Sequence, residues 1–362
     1  MLKLIHAADL HLDSPFSGLS PEKAAQRRGE QRQLLSALAE LARTRKADAL
    51  LLSGDLLDST STYRETIQAL STHLGAAGCP VFIAPGNHDP FHTASPYATL
   101  DWPDNVHIFS TAEVEAVELP GKAWVIHGAA FPEKHLERSP LEGFSAPRDG
   151  KLHVMALHGE VDGQGHYGSI SRETIAKSNL HYLALGHVHQ FSGLQKEGGT
   201  FWAYPGCPEG RGFDELGEKG VLYLELEEND CRAELVPLAL RRYQVLPVDL
   251  TGQEDPLKAI RAALPGDTQQ DIYRILLTGQ RTAALDLAGL EQALSPLFFG
   301  LTLRDQTQVS RQLWDRVEED TLTGLFLREM ARRCKQDPDN QTLQLAVRFG
   351  LAALEGGEDP AV

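Results

Sequence analysis

The segment Ala49–Asp58, ALLLSGDLLD, decides the fold prediction. A short apolar run is followed by Ser-Gly-Asp. Similar apolar runs stop at Asp9 in Leu2–His11, LKLIHAADLH, and at Gly86-Asn87-His88-Asp89 in Pro80–Asp89, PVFIAPGNHD. Short apolar runs that end in turn residues are typical of buried strands. Helical spacing over Pro21–Arg45 and Tyr63–Ala77 separates the three strands. The strand–helix–strand order predicts a parallel sheet with right-handed crossovers.

Nine further strands are predicted between the third motif and residue 240. Five of them follow the third motif: Val106–Phe109, Val114–Leu119, Ala123–His127, His153–Leu157 and Tyr182–Leu185. The next four are expected to form a mostly antiparallel meander: Phe191–Leu194, Thr200–Tyr204, Gly220–Leu226 and Ala233–Leu238. About a dozen strands are too many for one open sheet, so we expect two stacked sheets with helices outside.

The pattern changes after residue 244. A smaller βαβαβ unit is predicted from five segments: Val245–Leu250, Pro256–Leu264, Asp271–Thr278, Leu285–Leu294 and Phe299–Arg304. Two helices follow, Glu318–Lys335 and Gln341–Leu354. We therefore predict an α/β protein with a large domain over 1–244, a C-terminal α+β domain over 245–310 and a helical pair over 311–355.

Composition limits the class of protein. The 362 residues are 42% hydrophobic and 23% charged, which is typical of soluble globular chains. No apolar run is long enough to span a membrane, and the first residues lack the pattern of a signal peptide. The four cysteines form no CxxC pair, so we expect reduced thiols and a cytoplasmic protein. The 34 basic and 50 acidic residues give a net charge of −16, which argues against a general nucleic-acid coat.

Polar side chains stand just past five of the predicted strands. They are Asp9, His11, Asp55, Asn87, His158, His187 and His189. Because ligands bind beyond the carboxyl ends of strands in α/β sheets, we expect these side chains to converge. Imidazole and carboxylate together suit Mn, Fe, Zn or Co rather than calcium. Seven ligands exceed the needs of one ion, whereas two ions that share a bridging carboxylate use them naturally.

Three neighbours of these ligands remain open to two interpretations. His88 has a side chain suited to proton donation near neutral pH. Asp58 and Asp89 could orient the ligands through hydrogen bonds. For both carboxylates, turn and cap chemistry is an equally good explanation.

The order D-x-H, GDxxD, GNHD, H-G, GHxH resembles the calcineurin-like metallophosphoesterase superfamily over roughly residues 1–240. This resemblance implies a four-layer α/β/β/α sandwich with a C-terminal capping domain. It also implies that Asp9, His11 and His189 hold one metal, that Asp55 bridges, and that Asn87, His158 and His187 complete the second. His88 would contact the phosphate and assist the leaving oxygen, while hydroxide activated by the two metals attacks phosphorus.

Longer stretches look most like the SbcD-type DNA repair nucleases, in particular the YhaO-like branch. They are HAADLHLDSPF, GDLLDS, APGNHDP, ALGHVHQ and the segment Tyr204–Gly220, in which Cys207 stands where Ser or Thr is usual. Cys207 could be an adventitious metal ligand or a packing residue. The resemblance implies a DNA exonuclease or endonuclease subunit that uses Mn, with Fe or Zn as alternatives.

The same resemblance implies partners. Members of this family work as homodimers with an SbcC-like coiled-coil ABC ATPase, and the dimer contacts correspond here to Thr62–Leu74 and Phe91–Leu100. The final helical pair could bind the ATPase, or could equally pack on its own domain. Because of the acidic charge, we expect weak binding of DNA by this protein alone.

Two other functions compete with the nuclease. The acidity also suits a phosphodiesterase or phosphatase that acts on a small molecule or nucleotide, which a deep closed pocket would support. A catalytically silent scaffold for the ATPase is the remaining alternative.

Overall fold

The computed structural model describes residues 1–59, 62–163, 165–281, 285–309, 314–337 and 340–354. The chain forms two compact units, Met1–Arg242 and Tyr243–Val362. Residues 311–313 and 355 lie outside the described residues, and with them both bounds of the predicted helical segment 311–355. Within the described residues, no helix combines the length and the apolar character that crossing a membrane requires.

The strands of the first unit, in chain order, are β1 (Leu2–Ala7), β2 (Ala49–Leu52), β3 (Val81–Ile83), β4 (Val106–Ile108), β5 (Glu115–Glu118), β6 (Trp124–Gly128), β7 (Leu152–His158), β8 (Tyr182–Gly186), β9 (Gln195–Glu197), β10 (Thr200–Ala203), β11 (Gly220–Leu226) and β12 (Cys231–Pro237). Its helices are α1 (Pro21–Arg45), α2 (Arg64–Gly75), α3 (Pro96–Thr99) and α4 (Arg172–Lys177).

These strands form two six-stranded sheets. The first has the order β12-β11-β1-β2-β3-β4, in which β1 to β4 run parallel and β11 is antiparallel to β1. The second has the order β5-β6-β7-β8-β10-β9, in which β6, β7, β8 and β10 run parallel. In each sheet, parallel strands therefore end at a common edge.

Apolar side chains divide the first unit into layers. The inner faces of the two sheets share one buried cluster, which includes Leu51 from β2 and Val154 from β7. The outer face of the first sheet packs on α1 and α2 through residues such as Leu38 and Leu70. The outer face of the second sheet is covered by α4 and by loops, with Ile175 in its cluster. The predicted four-layer sandwich is confirmed, although its fourth layer contains only a six-residue helix.

The predicted meander after Tyr182–Gly186 is wrong. No strand occupies Phe191–Leu194, because Gly193 has a φ of +71° and the chain turns there before β9. The strand β10 then pairs parallel with β8, and the chain returns to the first sheet for β11. Alternation of apolar residues marks a strand but does not identify its neighbour, which is why the sheet assignment was missed.

The long helix α1 has the predicted bounds and carries a buried ion network. Ser20 caps its first turn, with Oγ accepting from the amide of Lys23 at 3.4 Å. Arg27 is fully buried and donates to Glu30 at 2.8 Å and to Glu209 at 2.7 Å. Arg241, near the end of this unit, also donates to Glu30, at 2.7 Å. Two cations therefore share two carboxylates beneath the helix.

The second unit begins with a small parallel sheet. Its elements are β13 (Tyr243–Asp249), α5 (Pro256–Ala263), β14 (Ile272–Thr278), β15 (Gln280–Arg281), α6 (Leu287–Leu294), β16 (Gly300–Asp305) and β17 (Gln308–Val309). The three strands β13, β14 and β16 pair parallel in that order. Two further helices, α7 (Leu322–Gln336) and α8 (Gln341–Leu354), pack on each other around Leu327 and Val347.

Candidate metal centre

The seven predicted ligands lie together at the carboxyl ends of β1, β2, β3, β7 and β8. Ligand atoms of Asp9, His11 and His189 fall within 4.8 Å of one another. The same holds for Asp9, Asp55 and His158. Asn87 and His187 join this second group, because Asn87 Oδ1 lies 2.8 Å from His158 Nε2 and 3.3 Å from His187 Nδ1.

Asp55 occupies the middle of the cluster. Its Oδ2 lies 3.7 Å from His11 Nε2 and 3.4 Å from His158 Nε2. Its Oδ1 accepts a hydrogen bond from the amide of His88 at 2.9 Å. One carboxylate oxygen therefore faces both halves of the cluster, while the other is held by the backbone.

The half that contains His11 and His189 has the donor geometry of a cation site. The two Nε2 atoms are 3.2 Å apart, and His189 Nε2 is 3.9 Å from Asp9 Oδ1. The outer Nδ1 atoms face carboxylates, since His11 Nδ1 lies 3.2 Å from Asp58 and His189 Nδ1 lies 2.8 Å from Glu215. Burial lowers the pKa of His11 to about 4, so its ring is neutral at pH 7. Two lone pairs that meet at this distance call for a cation between them.

The other half shows the same feature with different partners. His158 Nδ1 donates to the carbonyl of Ser53 at 2.9 Å, which leaves an unprotonated Nε2. That nitrogen faces Asn87 Oδ1 at 2.8 Å, so that two acceptors meet without a proton. Burial also lowers the pKa of His158 and lowers that of His187 to about 4. The donors present therefore fit a second divalent ion.

Two buried carboxylates add negative charge to the same place. Burial and the neighbouring charge of Asp55 raise the pKa of Asp9 well above its ordinary value. Burial works in the same direction on Asp55, but the adjacent His158 and His11 hold its pKa below the ordinary value. Buried like charges at this separation are costly without a compensating cation.

The backbone is strained where it presents the ligands. Asp9, His11, Asp55 and His187 all have positive φ values, between +42° and +116°. Such conformations are rare for residues other than glycine and cluster at functional sites. Gly86 permits the close approach of two loops, because a Cβ atom there would lie 2.3 Å from Asp55 Oδ1.

Asp89 holds two of the ligand loops together. Its carboxylate accepts from the amides of Asp55, Leu56, Leu57 and Gly86 at 2.7–3.1 Å and from the hydroxyl of Tyr97 at 2.6 Å. Burial and the charge of Asp55 raise its pKa to about 7, against the effect of these donors. These contacts anchor the loops that carry Asp55 and Asn87, while the role of Asp89 in orienting metal ligands stays a prediction.

His88 stands at the open side of the cluster. Its side chain is exposed, and its ring centroid lies 4.8 Å from that of His11. Nδ1 donates to the carbonyl of Asp58 at 3.0 Å, which fixes the ring and leaves Nε2 for another partner.

Comparison with known proteins identifies the family to which this arrangement belongs. Residues 2–191 match the family model described as calcineurin-like phosphoesterase, which is more than half of the chain. The chain belongs to the calcineurin-like phosphoesterase family. Family membership makes it a metallophosphoesterase, and its Asp and His clusters can hold the divalent ions on which such proteins depend.

Curated relatives include named nucleases at low identity. The chain is 32% identical over 245 residues to the uncharacterized metallophosphoesterase YhaO of Bacillus subtilis, covering 64% of this chain and 59% of the relative. It is 26% identical over 269 residues to the DNA double-strand break repair protein Mre11 of Aeropyrum pernix, covering 69% and 64%. It is 24% identical over 260 residues to the SbcD component of the nuclease SbcCD of Bacillus subtilis, covering 60% and 64%. The matches thus span less than two thirds of each relative's length.

Two residues of this phosphoesterase's centre, Arg211 and Glu215, were not predicted. Both lie in the segment Tyr204–Gly220, which resembles the family but in which no motif assigns a role to either side chain. Glu215 meets His189 from 26 positions away along a loop, and no periodic spacing marks such a contact. Cys207 is fully buried, its pKa is raised to about 12 by burial, and its Sγ donates to the carbonyl of His189 at 3.4 Å. A protonated thiol in this position supports the packing interpretation.

Proposed function

We propose that this metallophosphoesterase is a dinuclear metal-dependent DNA nuclease subunit that hydrolyses phosphodiester bonds during DNA repair. The observation that carries the proposal is the position of Asp55, whose Oδ2 lies within 3.7 Å of ligand nitrogens in both halves of the cluster. A carboxylate in this position is what a pair of ions needs as a bridge.

The proposed ligand sets follow the two halves. Asp9, His11 and His189 would hold one ion, Asp55 would serve both, and Asn87, His158 and His187 would hold the other. We propose Mn as the ion, with Fe or Zn as alternatives, because the donors mix carboxylate and amide oxygens with imidazole nitrogens. When bound, the ion pair would supply an activated water as nucleophile and would neutralise charge on the phosphate.

The chain's own residues would do the rest. Asp89 keeps the loops of Asp55 and Asn87 in place through its backbone hydrogen bonds. The Nδ1–H of His88 donates to the carbonyl of Asp58, so the doubly protonated ring can give its Nε2 proton to the departing sugar oxygen and keep the proton on Nδ1. In this proposal, His88 is the catalytic residue, while Asp58 and Asp89 act through their neighbours.

DNA is proposed as the substrate on two grounds. Relatives at 24–26% identity bear the names of a break-repair protein and a nuclease component. Within the first unit, the cluster is also reachable from solvent, since His88 is exposed and the side chain of His189 is 32% exposed. Accessible ligands support a large substrate over a small one enclosed in a pocket.

We further propose partners from the same relationship. The net charge of −16 is unfavourable for binding DNA, so an SbcC-like ATPase would provide most of the contacts that hold the DNA. Homodimerisation would use the segments Thr62–Leu74, most of which lies in α2, and Phe91–Leu100.

The test is nuclease activity and metal content in one purified sample. The full chain, loaded with Mn²⁺, should degrade linear or hairpin DNA, and the variant Asp55→Asn should not. Cleavage of bis-p-nitrophenyl phosphate without cleavage of either DNA would refute the nuclease and leave the small-molecule phosphodiesterase. Absence of both activities in a sample that contains two ions would support the scaffold alternative.

A further inference from the structure

We propose that Arg211 is a positioning residue that sets the affinity of one metal position, the one formed by Asp9, His11 and His189, and leaves the other nearly unaffected. The inference rests on the two-ion assignment in the proposed function. Arg211 lies outside the predicted ligand set, and its effect would make the two positions differ in metal affinity.

Arg211 contacts both carboxylates that flank this position. Its side chain is 19% exposed, and its Nη2 lies 2.6 Å from Glu215 Oε1 while its Nε lies 3.3 Å from Oε2. Its Nη1 lies 3.3 Å from Asp58 Oδ1. The backbone amide of the same residue donates to Glu215 Oε2 at 2.8 Å. One guanidinium therefore fixes two acidic side chains that are far apart in sequence.

Those two carboxylates face the outer nitrogens of the two histidine ligands. Glu215 Oε1 lies 2.8 Å from His189 Nδ1, and Asp58 Oδ1 lies 3.2 Å from His11 Nδ1. A carboxylate on the outer nitrogen keeps the proton there and turns Nε2 into a ligand. Arg211 Nη2 also lies 3.0 Å from His189 Nδ1, but a guanidinium has only donors and cannot accept that proton. The carboxylates are therefore the groups through which we expect Arg211 to act on the ion.

The second position is oriented by different groups. His158 Nδ1 donates to a backbone carbonyl, that of Ser53, at 2.9 Å. His187 is held through its backbone amide, which donates to Asp9 at 3.0 Å. Because a main-chain acceptor does not depend on a side-chain ion pair, loss of Arg211 should leave His158 in its present orientation.

Arg211 is itself held by the buried network of α1. Arg27 Nη2 donates to the carbonyl of Gly210, the preceding residue, at 3.2 Å. Arg27 Nη1 also binds Glu209 at 2.7 Å. These contacts anchor the loop next to Arg211. The guanidinium therefore starts from a fixed backbone position, from which it reaches both carboxylates. Lysine has a single charged nitrogen and cannot reproduce that fork.

The experiment is a titration of the metal-free full chain with Mn²⁺, with free Mn²⁺ followed by electron paramagnetic resonance. The wild type should bind two ions. Arg211→Gln should weaken one of them by about 10–100-fold and leave the other within about twofold. Arg211→Lys should weaken the same ion to a smaller extent. Arg172→Gln removes an exposed arginine that pairs with Asp162 and Glu197, so it is the matched control and should bind like the wild type.

A second variant identifies the affected position. Asn87→Ala removes a ligand of the other position, so this variant should retain one strong ion. Adding Arg211→Gln to Asn87→Ala should weaken that remaining ion by the same factor. Circular dichroism and thermal melting of the metal-free variants show whether they fold. If Arg211→Gln does not fold, the titration is done with Arg211→Lys instead.

Three outcomes would overturn the proposal. Wild-type affinity for both ions together with a raised KM would make Arg211 a substrate contact. Equal weakening of both ions would make its role purely structural. Fewer than two ions bound to the wild type would remove the two-ion assignment itself. Because no substrate is present in the titration, failure of the protein to cleave DNA would leave this result intact.

Discussion

In the proposed mechanism, His88 takes part in the chemistry and is not one of the seven assigned ligands. We expect His88→Ala to lower kcat on DNA by about 10²–10⁴-fold, because a positioned proton donor contributes on that scale. Metal content should stay at the wild-type level: although ligand atoms of His88, His11 and Asp58 lie within 4.8 Å of one another, Nδ1 of His88 is held by the carbonyl of Asp58 at 3.0 Å. Steady-state rates and metal analysis of the same preparation check this.

His107→Ala is the matched control for that variant. His107 lies half-buried on β4, outside the predicted ligands and the proposed dimer segments, so its loss should leave kcat unchanged. Full activity of His88→Ala with both ions bound would remove His88 from the mechanism.

Asp9 should oppose folding when no metal is bound. Its carboxyl is buried, and burial, followed by the charge of Asp55, raises its pKa well above the ordinary value. We expect Asp9→Asn to melt at a higher temperature than the wild type in a chelator, by a few degrees, and to lose the stabilisation that Mn²⁺ gives the wild type. Melting curves with a chelator and with Mn²⁺ measure both effects. A lower melting temperature of the metal-free variant would contradict the argument.

At the residue scale, the sequence was informative wherever a ligand directly follows a strand. Asp9, Asp55 and His158 could be picked out because strand ends of parallel sheets share an edge, and they do lie within reach of one another. Their roles as ligands stay predictions. Glu215 and Arg211 could not be picked out, because they reach the centre through a loop whose path depends on the buried contacts of Arg27.

Among the elements, the neighbouring strands β6 and β7 carry a pH-dependent contact. His127 Nε2 lies 2.9 Å from His153 Nδ1, and burial, followed by the charge of His153, lowers the pKa of His127 to about 4. The unfolded chain binds this proton below pH 6.5, whereas the folded chain does so only near pH 4. The stability that the neutral ring contributes is therefore present above pH 6.5 and is lost as the pH falls to 4.

We expect His127→Gln to reduce that loss by about 2 kcal/mol after partial solvent screening. The amide of glutamine can still donate to His153 but does not titrate. Urea denaturation between pH 4.5 and 7 gives the free energy of unfolding at each pH. An unchanged slope for His127→Gln would refute the linkage.

The bounds of helices and strands were predicted well where a local sequence pattern marks them. The assignment of strands to sheets was predicted poorly, because it depends on pairing between distant segments. The bounds of α1 and β1 agree with the predicted ones, because a capping serine and an uninterrupted apolar run mark them. The strand placed at Phe191–Leu194 is absent because Gly193 adopts a positive φ. Which sheet receives β10 or β11 depends on contacts between distant segments, and a single sequence does not encode these as a local signal.

For the whole molecule, the net charge of −16 limits the affinity for DNA. Binding of duplex DNA draws its strength from cations that replace counterions on the phosphates. We expect the isolated protein to bind duplex DNA with a Kd weaker than about 1 μM at about 150 mM salt. A mobility-shift assay checks this, with the chelator-treated protein as control. Submicromolar binding by the isolated protein would show a basic surface that the total charge conceals.

At the same scale, two stacked sheets could be predicted from the number of strands and the limit on open sheets. The structure confirms this prediction with two six-stranded sheets in the first unit. The charge balance argued against a general nucleic-acid coat. It could not distinguish an enzyme that binds a single phosphate group at its active site from a protein that binds no phosphate.

The ion network under α1 determines where the chain can be shortened. A fragment that stops at residue 240 keeps every strand of the first unit and all seven predicted ligands. It lacks Arg241, however, so the buried carboxylates of Glu30 and Glu209 would share the single cation of Arg27. An unbalanced buried charge costs about 3 kcal/mol or more. A recombinant fragment that ends at Arg242 should therefore express as a stable protein, whereas one only two residues shorter should be prone to aggregation and proteolysis.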